Sequence, residues 1–416
     1  MKIAIISSGF LPVVDGVTVA LYHRLRSLSQ LGHQVLVLCP DYRSLASTYP
    51  QWQRWSGEIL PGVRVINLPS EPFMGVEFER NLSRRANPII QAELTAFRPD
   101  IVHVDEPDRL FLGTLNAPGV AYAKRNKIPC VGFYHTNFVD YIEDFFPLPR
   151  PIVWLIQWIS TQIIRRVFQS YNATLVSNSV AEQRVHQLKI RNTVCDRFLG
   201  VDLETFRQQP KELQFFQKQY GIESLDHKVV LLFLGRLTPD KGWQFTLNAF
   251  THLAKMENAW LDQVAIVVAG DGELKNDIQQ RLQDSGLTVV LLGRIDPNAV
   301  PSLLAHTDIH VTASEKETLG LTILESFAAG KPVVAPRAGG VVHLIRDREN
   351  GLLFEPQDID DFGRSLHMLV TNVELRQQLG RQGQQDAIAY EWDTATATLI
   401  DTWQAQIDEV PTANLL

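Results

Sequence analysis

The chain has little sulfur and little that would tie it to a bilayer core or a metal. Three cysteines, Cys39, Cys130 and Cys195, are scattered over 416 residues. Their odd number and wide spacing give neither a disulfide framework nor a metal-ligand pattern. Single thiols of this kind act as small apolar residues in a reducing cytoplasm. No run reaches the roughly 18 uncharged apolar residues that a membrane-spanning helix needs. MKIAIISSGF has one charge and a short apolar run, but no small-residue cleavage site follows, so it reads as a first strand rather than a leader. The first turn, SSGFLPVVDG, lacks G-x-G-x-x-G, which counts against a dinucleotide oxidoreductase. Internal repeats and low-complexity tracts are missing as well.

What is present is an ordinary soluble composition, 45% hydrophobic and 20% charged, on a chain long enough for two or three domains. The net charge of −7 is uneven: residues 1–208 hold 22 Lys+Arg and 18 Asp+Glu, and the remainder 17 and 28. Such asymmetry hints at an anionic partner for the first half, against the plainer reading of two solvated faces.

Short apolar runs alternate with helix-periodic stretches. In the first half the runs are KIAIISS, QVLVLCP, VRVINL, DIVHVDE, IPCVGFYHT and ATLVSNS. They are rich in Val and Ile and bounded by Pro, Gly or Asp, as suits parallel strands buried on both faces. Helices are predicted over Val17–Leu31, Phe78–Phe97 and Thr114–Asn126. After a polar stretch the pattern restarts with VVLLFLGR, VAIVVAGDGE, TVVLLGRI, DIHVTAS, KPVVAP and GLLFEP. The fold class is α/β, with two Rossmann-like domains facing across a cleft. The expected boundaries are 1–203 for the first domain, 204–228 for a linker, 229–390 for the second domain, and 391–416 for a C-terminal helix and tail packing back on the first. Ligands of such sheets bind outside the carboxyl ends of the strands, which makes the cleft the default site.

Two stretches carry chemistry. GRLTPDKG, Gly235–Gly242, follows a strand and opens a helix. A strand-to-helix junction offers free backbone N–H groups and a positive dipole end, and Arg236 and Lys241 add two cations suited to a diphosphate. The competing reading is a surface turn with solvated charges. In SEKETLGLTILESFAAG, Ser314–Gly330, a helix is predicted to start around Thr318–Gly320 and run to Ala329. Glu317 then stands at its entrance and Glu325 lies about 12 Å further along. Their offset of roughly 80° lets both border one groove. The amides of Thr318, Leu319, Gly320 and Leu321 point at an anion between them. A ligand with hydroxyls at both ends and phosphates in the middle fits: sugar hydroxyls at Glu317, diphosphate at Arg236, Lys241 and the amides, ribose hydroxyls at Glu325. The alternative is a capping carboxylate and a solvated helix face. Glu315 is left to that alternative. Asp358-Ile359-Asp360 has the look of a metal-binding D-x-D, but it stands at a helix start and reads as a cap.

GRLTPDKG, VAGDGE, LGRI, SEKETLGLTILESFAAGKPVVAPRAGG and ENGLLFEP, in this order and spacing, resemble the GT-B, GT4-type retaining glycosyltransferases. The resemblance covers essentially the whole chain and is most specific in the second half. It implies an E-x7-E pair at Glu317 and Glu325, a diphosphate held by Arg236 and Lys241, and a base read by the backbone near Ile295. The first half matches through FLPVVDGV and YHTNF. Asp15-Gly16 stands where the family usually has Gly-Gly, which leaves that loop's donor contacts less defined. His135, at the end of a strand, is implied to lie beside the transferred sugar and to position it. The reaction implied is front-face, needs no separate nucleophile, and expects neither a metal nor another cofactor; the nucleotide sugar is a co-substrate.

The VDG, YHTNF and ETLGLT variants look most like the lipid-glycosylating subgroup, the sulfoquinovosyl-diacylglycerol synthases and phosphatidylinositol mannosyltransferases. PIVWLIQWISTQIIRRVFQSY supports this. As a helix it puts Ile152, Leu155, Ile156, Ile159 and Ile163 on one stripe, expected to face the core, with Trp154, Trp158 and Arg165 opposite as an interfacial face; the competing reading is an ordinary buried helix whose Trp residues pack on a neighbouring loop, so the lipid expectation rests mainly on the resemblance. Arg80, Arg84, Arg85, Lys124, Arg125 and Lys127 add attraction to anionic lipid. The resulting expectation is transfer of a hexosyl group from a UDP-sugar to diacylglycerol or a glycosyl-diacylglycerol, in the cytoplasm at the inner face of a membrane, with no nucleic-acid partner. A soluble sugar acceptor, and a catalytically silent sugar-nucleotide or lipid-binding protein, are the alternatives.

Overall fold

A computed structural model describes residues 1–73, 76–136, 149–223, 225–256 and 258–409. The chain forms two compact units: Met1–Leu199 joined by the segment from Trp392 onward, and Gly200–Glu391. The stretch 204–228, expected as a linker, belongs to the second unit and contains two short helices, Leu203–Arg207 and Phe215–Tyr220.

In the first unit the strands are β1 (Lys2–Ile6), β2 (Gln34–Pro40), β3 (Gly57–Leu60), β4 (Val63–Leu68), β5 (Ser70–Phe73), β6 (Val76–Leu82), β7 (Ile101–Asp105), β8 (Cys130–Phe133), β9 (Ala173–Val176) and β10 (Thr193–Cys195). Among the described residues, eight of them make one sheet in the order β10-β9-β8-β7-β1-β2-β4-β3, parallel except for the β3–β4 pair. β1 lies between β2 and β7, with Ile3 opposite Val35 and Ile101. Every residue of β7 and all but the first of β1 and β2 are buried, which explains the unbroken apolar runs.

Helices of this unit include α1 (Gly16–Gln30), α2 (Ala86–Phe97) and α3 (Arg150–Phe168). The predicted helix Phe78–Phe97 begins only at Ala86, because Val76–Leu82 pairs with β5 as an antiparallel hairpin. The predicted helix Thr114–Asn126 is broken. One helix ends at Thr114, where Leu115 turns left-handed at φ +54°, and another spans Val120–Asn126. Pro118 and Gly119 fall in the gap, where a continuous helix would need a backbone N–H that Pro lacks.

In the second unit the strands are β11 (Val229–Leu234), β12 (Val264–Ala269), β13 (Thr288–Gly293), β14 (Ile309–Val311), β15 (Val333–Pro336) and β16 (Gly351–Phe354). They form a wholly parallel sheet in the order β13-β12-β11-β14-β15-β16. The order reverses at β11 and β14, the switch point beyond which ligands of such sheets bind. The loops after these two strands lead into α4 (Trp243–Lys255) and α5 (Leu321–Ala328). Phe245, Phe250 and Phe362 pack with Phe354 from β16 in the core beneath. The last helix, α6 (Trp392–Glu409), rejoins the first unit: Ser27 donates to Asp393 at 2.8 Å, and Trp392 stacks on His23.

Candidate active site

The GRLTPDKG turn leaves β11 and reaches α4 through Gly242, at φ +74°. A Cβ at this position would come within 2.1 Å of the Ala313 carbonyl oxygen. Only glycine allows the turn to lie so close to the end of β14. This contact carries Lys241 to the loop that precedes α5. Lys241 Nζ lies 2.6 Å from Glu317 Oε1, and both side chains are about one-fifth exposed. Burial alone would raise the Glu317 carboxyl; the Lys241 charge and hydrogen bond, with one from Ser314, hold it below the usual range. The backbone of Glu317 is fixed too, its carbonyl accepting from Gly340 N–H at 2.6 Å.

Arg236 and Lys241 share a partner that sequence reasoning missed. Asp240 is buried, 3.5 Å from Arg236 and 3.9 Å from Lys241, and among the described residues neither of its carboxylate oxygens has a hydrogen-bond partner. It acts as a counter-charge holding both cations at the mouth of the turn. Its only sequence signal is its place between Pro239 and Lys241, which does not reveal burial.

The loop closes on Gly320, the N-cap of α5, whose φ of +89° a side chain would strain. Leu319 is buried and Leu321 begins the helix. Among the described residues the amides of Leu319, Gly320 and Leu321 have no acceptor, so this helix end presents free N–H groups. Thr318 borders them, half-buried. One turn into α5 and beyond, Glu325 is half-buried and has no partner among the described residues; burial pushes its carboxyl up to about 8. Ile323, Leu324 and Phe327 bury the opposite face of the helix. Ile295 lies two residues past β13, half-buried in the turn that follows it. Glu315 accepts from Gln357, and Asp358 caps the next helix by accepting from Asp361 N–H at 2.9 Å.

The first unit has its own charged cluster at the carboxyl ends of β7 and β8. His135 Nε2 lies 2.7 Å from Asp105 Oδ1. His103 Nε2 approaches the same oxygen at 3.1 Å, and Arg24 Nη1 lies 3.3 Å away. Trp403 Nε1–H, which can only donate, contacts His103 Nδ1 at 3.2 Å, so His103 gives its Nε2 proton to Asp105. Burial favours a neutral Asp105, yet Arg24, His103 and His135 hold its carboxyl well below the usual range. Burial lowers His103 to about 4. The next residue, Glu106, receives hydrogen bonds from Ser8 and Thr136. Asp105, Arg24 and Glu106 were not anticipated, since nothing in the strand pattern marks a buried ionic cluster. Asp15 caps α1, accepting from Thr18 N–H at 2.8 Å, and Gly16 is the exposed first residue of that helix. Asn137 and Phe138 of YHTNF lie outside the described residues.

The stripe expected to bury α3 does not. Ile152, Leu155 and Ile159 are exposed together with Trp154 and Trp158, the last two at 78% and 62%. The core face is instead Val153, Ile164, Val167 and Phe168. Burial on this helix is concentrated in its last turns, which pack against Tyr134 and Val185. Arg165 is half-buried. No helix among the described residues is long and apolar enough to cross a membrane.

These two parallel-sheet halves have the GT-B architecture. Residues 14–204 match the family described as Glycosyltransferase Family 4, and residues 216–386 match Glycosyl transferases group 1. The chain belongs to these families and is a glycosyltransferase of the GT4 type. It is 28% identical to the sulfoquinovosyl transferase SQD2 of Arabidopsis thaliana, over 90% of this chain and 68% of that one. It is 28% identical to a GDP-mannose-dependent alpha-mannosyltransferase of Mycolicibacterium smegmatis, over 97% of both. It is 26% identical to an alpha-monoglucosyldiacylglycerol synthase of Streptococcus pneumoniae, over 91% of this chain and 80% of that one. Among solved structures, Anabaena HepE in complex with UDP and glucose superposes with a TM-score of 0.72 at 18% identity, covering 97% of this chain and all of its own.

Proposed function

We propose that this glycosyltransferase moves a hexosyl group, with retention, from a UDP-sugar to a lipid acceptor such as diacylglycerol or a glycosyl-diacylglycerol. The observation that carries the reading is the Lys241–Glu317 pair set beside Arg236 and the free amides that start α5. In the reaction the bond between the sugar's anomeric carbon and the diphosphate breaks. The acceptor oxygen bonds to that carbon from the same face, and its proton passes to the departing phosphate oxygen. Arg236, Lys241 and the amides of Leu319, Gly320 and Leu321 stabilise the charge that builds on the diphosphate. They supply that charge from the protein's own groups. Glu317 takes paired hydroxyls of the sugar, and Glu325 those of the ribose.

The lipid part of the reading draws support from the exposed apolar face of α3 and from the diacylglycerol named for the pneumococcal relative. Two tryptophans on a helix with arginines in its last turn suit the headgroup boundary of a bilayer. UDP is preferred because HepE was solved with it, while the mycobacterial relative supports GDP-mannose as a second reading. The test is a donor–acceptor screen: UDP-hexoses, UDP-sulfoquinovose and GDP-mannose, each with diacylglycerol vesicles or with soluble sugars, products read by mass. A glycosylated lipid formed from a UDP-sugar supports the proposal. Transfer only to soluble sugars, or only from GDP-mannose, replaces the corresponding part. No release from any donor favours a silent binding protein.

A further inference from the structure

The first unit has a second polar concavity that this chemistry leaves unused. β2 and β4 run in register, Pro40 opposite Leu68. Beyond them Asp41 N–H donates to the Leu68 carbonyl at 2.9 Å, and Ser70 Oγ donates to the Asp41 carbonyl at 2.7 Å. At this point, off the carboxyl ends of parallel strands, lies a cavity of about 370 Å³. Its walls include Arg43, Arg80, Arg85, Ser44, Ser70 and Ser83.

The three guanidinium groups differ in setting. Arg80 is buried, with Nη2 donating to the Ser70 carbonyl at 2.7 Å and Nε to Ser70 Oγ at 3.3 Å, so its charge is fixed in the wall. Arg43 and Arg85 are exposed, and neither side chain has a hydrogen-bond or ion-pair partner among the described residues. The acids at the rim are Asp41 and Glu71, and Asp41 is already engaged by Arg43 N–H at 2.8 Å. Three forked cations with the hydroxyls of Ser44 and Ser83, outnumbering the acids, match a tetrahedral oxyanion better than a neutral sugar. Tyr42, between Asp41 and Arg43, ties the cavity to the loop after β1: its buried hydroxyl accepts from Phe10 N–H at 2.7 Å. That loop ends at Asp15-Gly16.

We propose that this cavity binds a phosphate group that accompanies the acceptor. The inference rests on the transfer reading for its purpose, though not for the binding itself. Diacylglycerol carries no charge, so with a lipid acceptor the phosphate is that of a neighbouring phospholipid headgroup. With a soluble acceptor it is a phosphate on the acceptor itself.

The test uses the full chain with Arg236→Ala and Lys241→Ala, which removes both cations of the donor's diphosphate site from the readout. Two probes are titrated: inorganic phosphate by calorimetry, and phosphatidylcholine vesicles with and without phosphatidylglycerol by flotation. Arg43→Gln with Arg85→Gln, both exposed and unpaired, should leave the melting curve unchanged. They should weaken at least one probe by about tenfold or more, the loss of up to two charge-assisted contacts. Lys218→Gln with Arg381→Gln, on the second unit, is the charge-matched control and should change neither. Loss of phosphate binding identifies a free phosphate; loss of phosphatidylglycerol binding alone identifies a headgroup. Binding of both probes unchanged in the variant, equal loss in the control, or no binding by the parent overturns the proposal. Since no turnover is measured, a failed donor screen beside intact phosphate binding would refute the transfer reading alone.

Discussion

Lys241 Nζ and Glu317 Oε1, 76 residues apart in sequence, stand 2.6 Å from each other. The pair joins the two strand-end loops at the switch point of the second sheet. Its charge is preorganised, so little rearrangement is needed when a diphosphate arrives. Lys241→Ala and Arg236→Ala should each lower turnover on the order of 100-fold. Glu317→Gln should also lower it, and the Lys241→Ala/Glu317→Gln double variant should lose less than the product of the single losses, because the two residues touch. Steady-state turnover of the three variants and the double checks this.

Glu325 gives a pH prediction. Its carboxyl titrates near 8 in the fold against an ordinary value of 4.5. The native state therefore holds a proton that the unfolded chain has already lost. Stability contributed by this group is present below about 4.5 and declines as pH rises through 8. Glu325→Gln removes that decline: the variant should melt higher than the parent at pH 9, and the gap should close by pH 5. Above pH 8, where the parent carboxyl is ionised, the same variant should bind the donor more weakly, raising KM more than it lowers kcat, since an amide is a poorer acceptor for paired ribose hydroxyls. Thermal melts across pH and donor KM test the two halves.

Asp105 is the group on which His135, His103 and Arg24 converge. Asp105→Asn leaves Arg24 buried without a counter-charge and should cost about 3 kcal/mol of stability. It also frees the His135 ring that Asp105 orients, so turnover should fall in the fraction that remains folded. Trp403→Phe removes the donor to His103 without touching Asp105. It should produce a weaker version of both effects, measurable by denaturant melts and turnover at a temperature where both variants are folded.

On α3, Trp154→Ala with Trp158→Ala should weaken partition to lipid vesicles on the order of tenfold or more, given the apolar area of the two rings. Replacing the half-buried Ile163 with Val should leave partition unchanged. Vesicle flotation distinguishes the two, and equal partition of parent and double variant would return this helix to an unpartnered surface.

Much of the architecture was legible because buried parallel strands must be apolar on both faces. All twelve runs read as strands are strands, from KIAIISS to GLLFEP. Those that escaped lie at a sheet edge or in a hairpin: GEIL is exposed or half-exposed throughout, SEPF is short with a Pro, and VEFERNL opens by alternating apolar and acidic residues. The latter pattern overlapped a helical period and misled the reading of Phe78–Phe97. In the site, Lys241 and Glu317 were visible because charge beside a glycine turn has few uses. Asp240 and Asp105 were not, since burial of a carboxylate depends on tertiary packing that no spacing reveals. The stripe of α3 failed for the same reason, as periodicity identifies an apolar face without saying what covers it.

The most direct measurement is nucleotide release and product mass for the parent and Lys241→Ala, incubated with UDP-sugars and diacylglycerol vesicles. The parent should give a glycosylated lipid and free UDP, reduced on the order of 100-fold in the variant. Equal release by both proteins would contradict it.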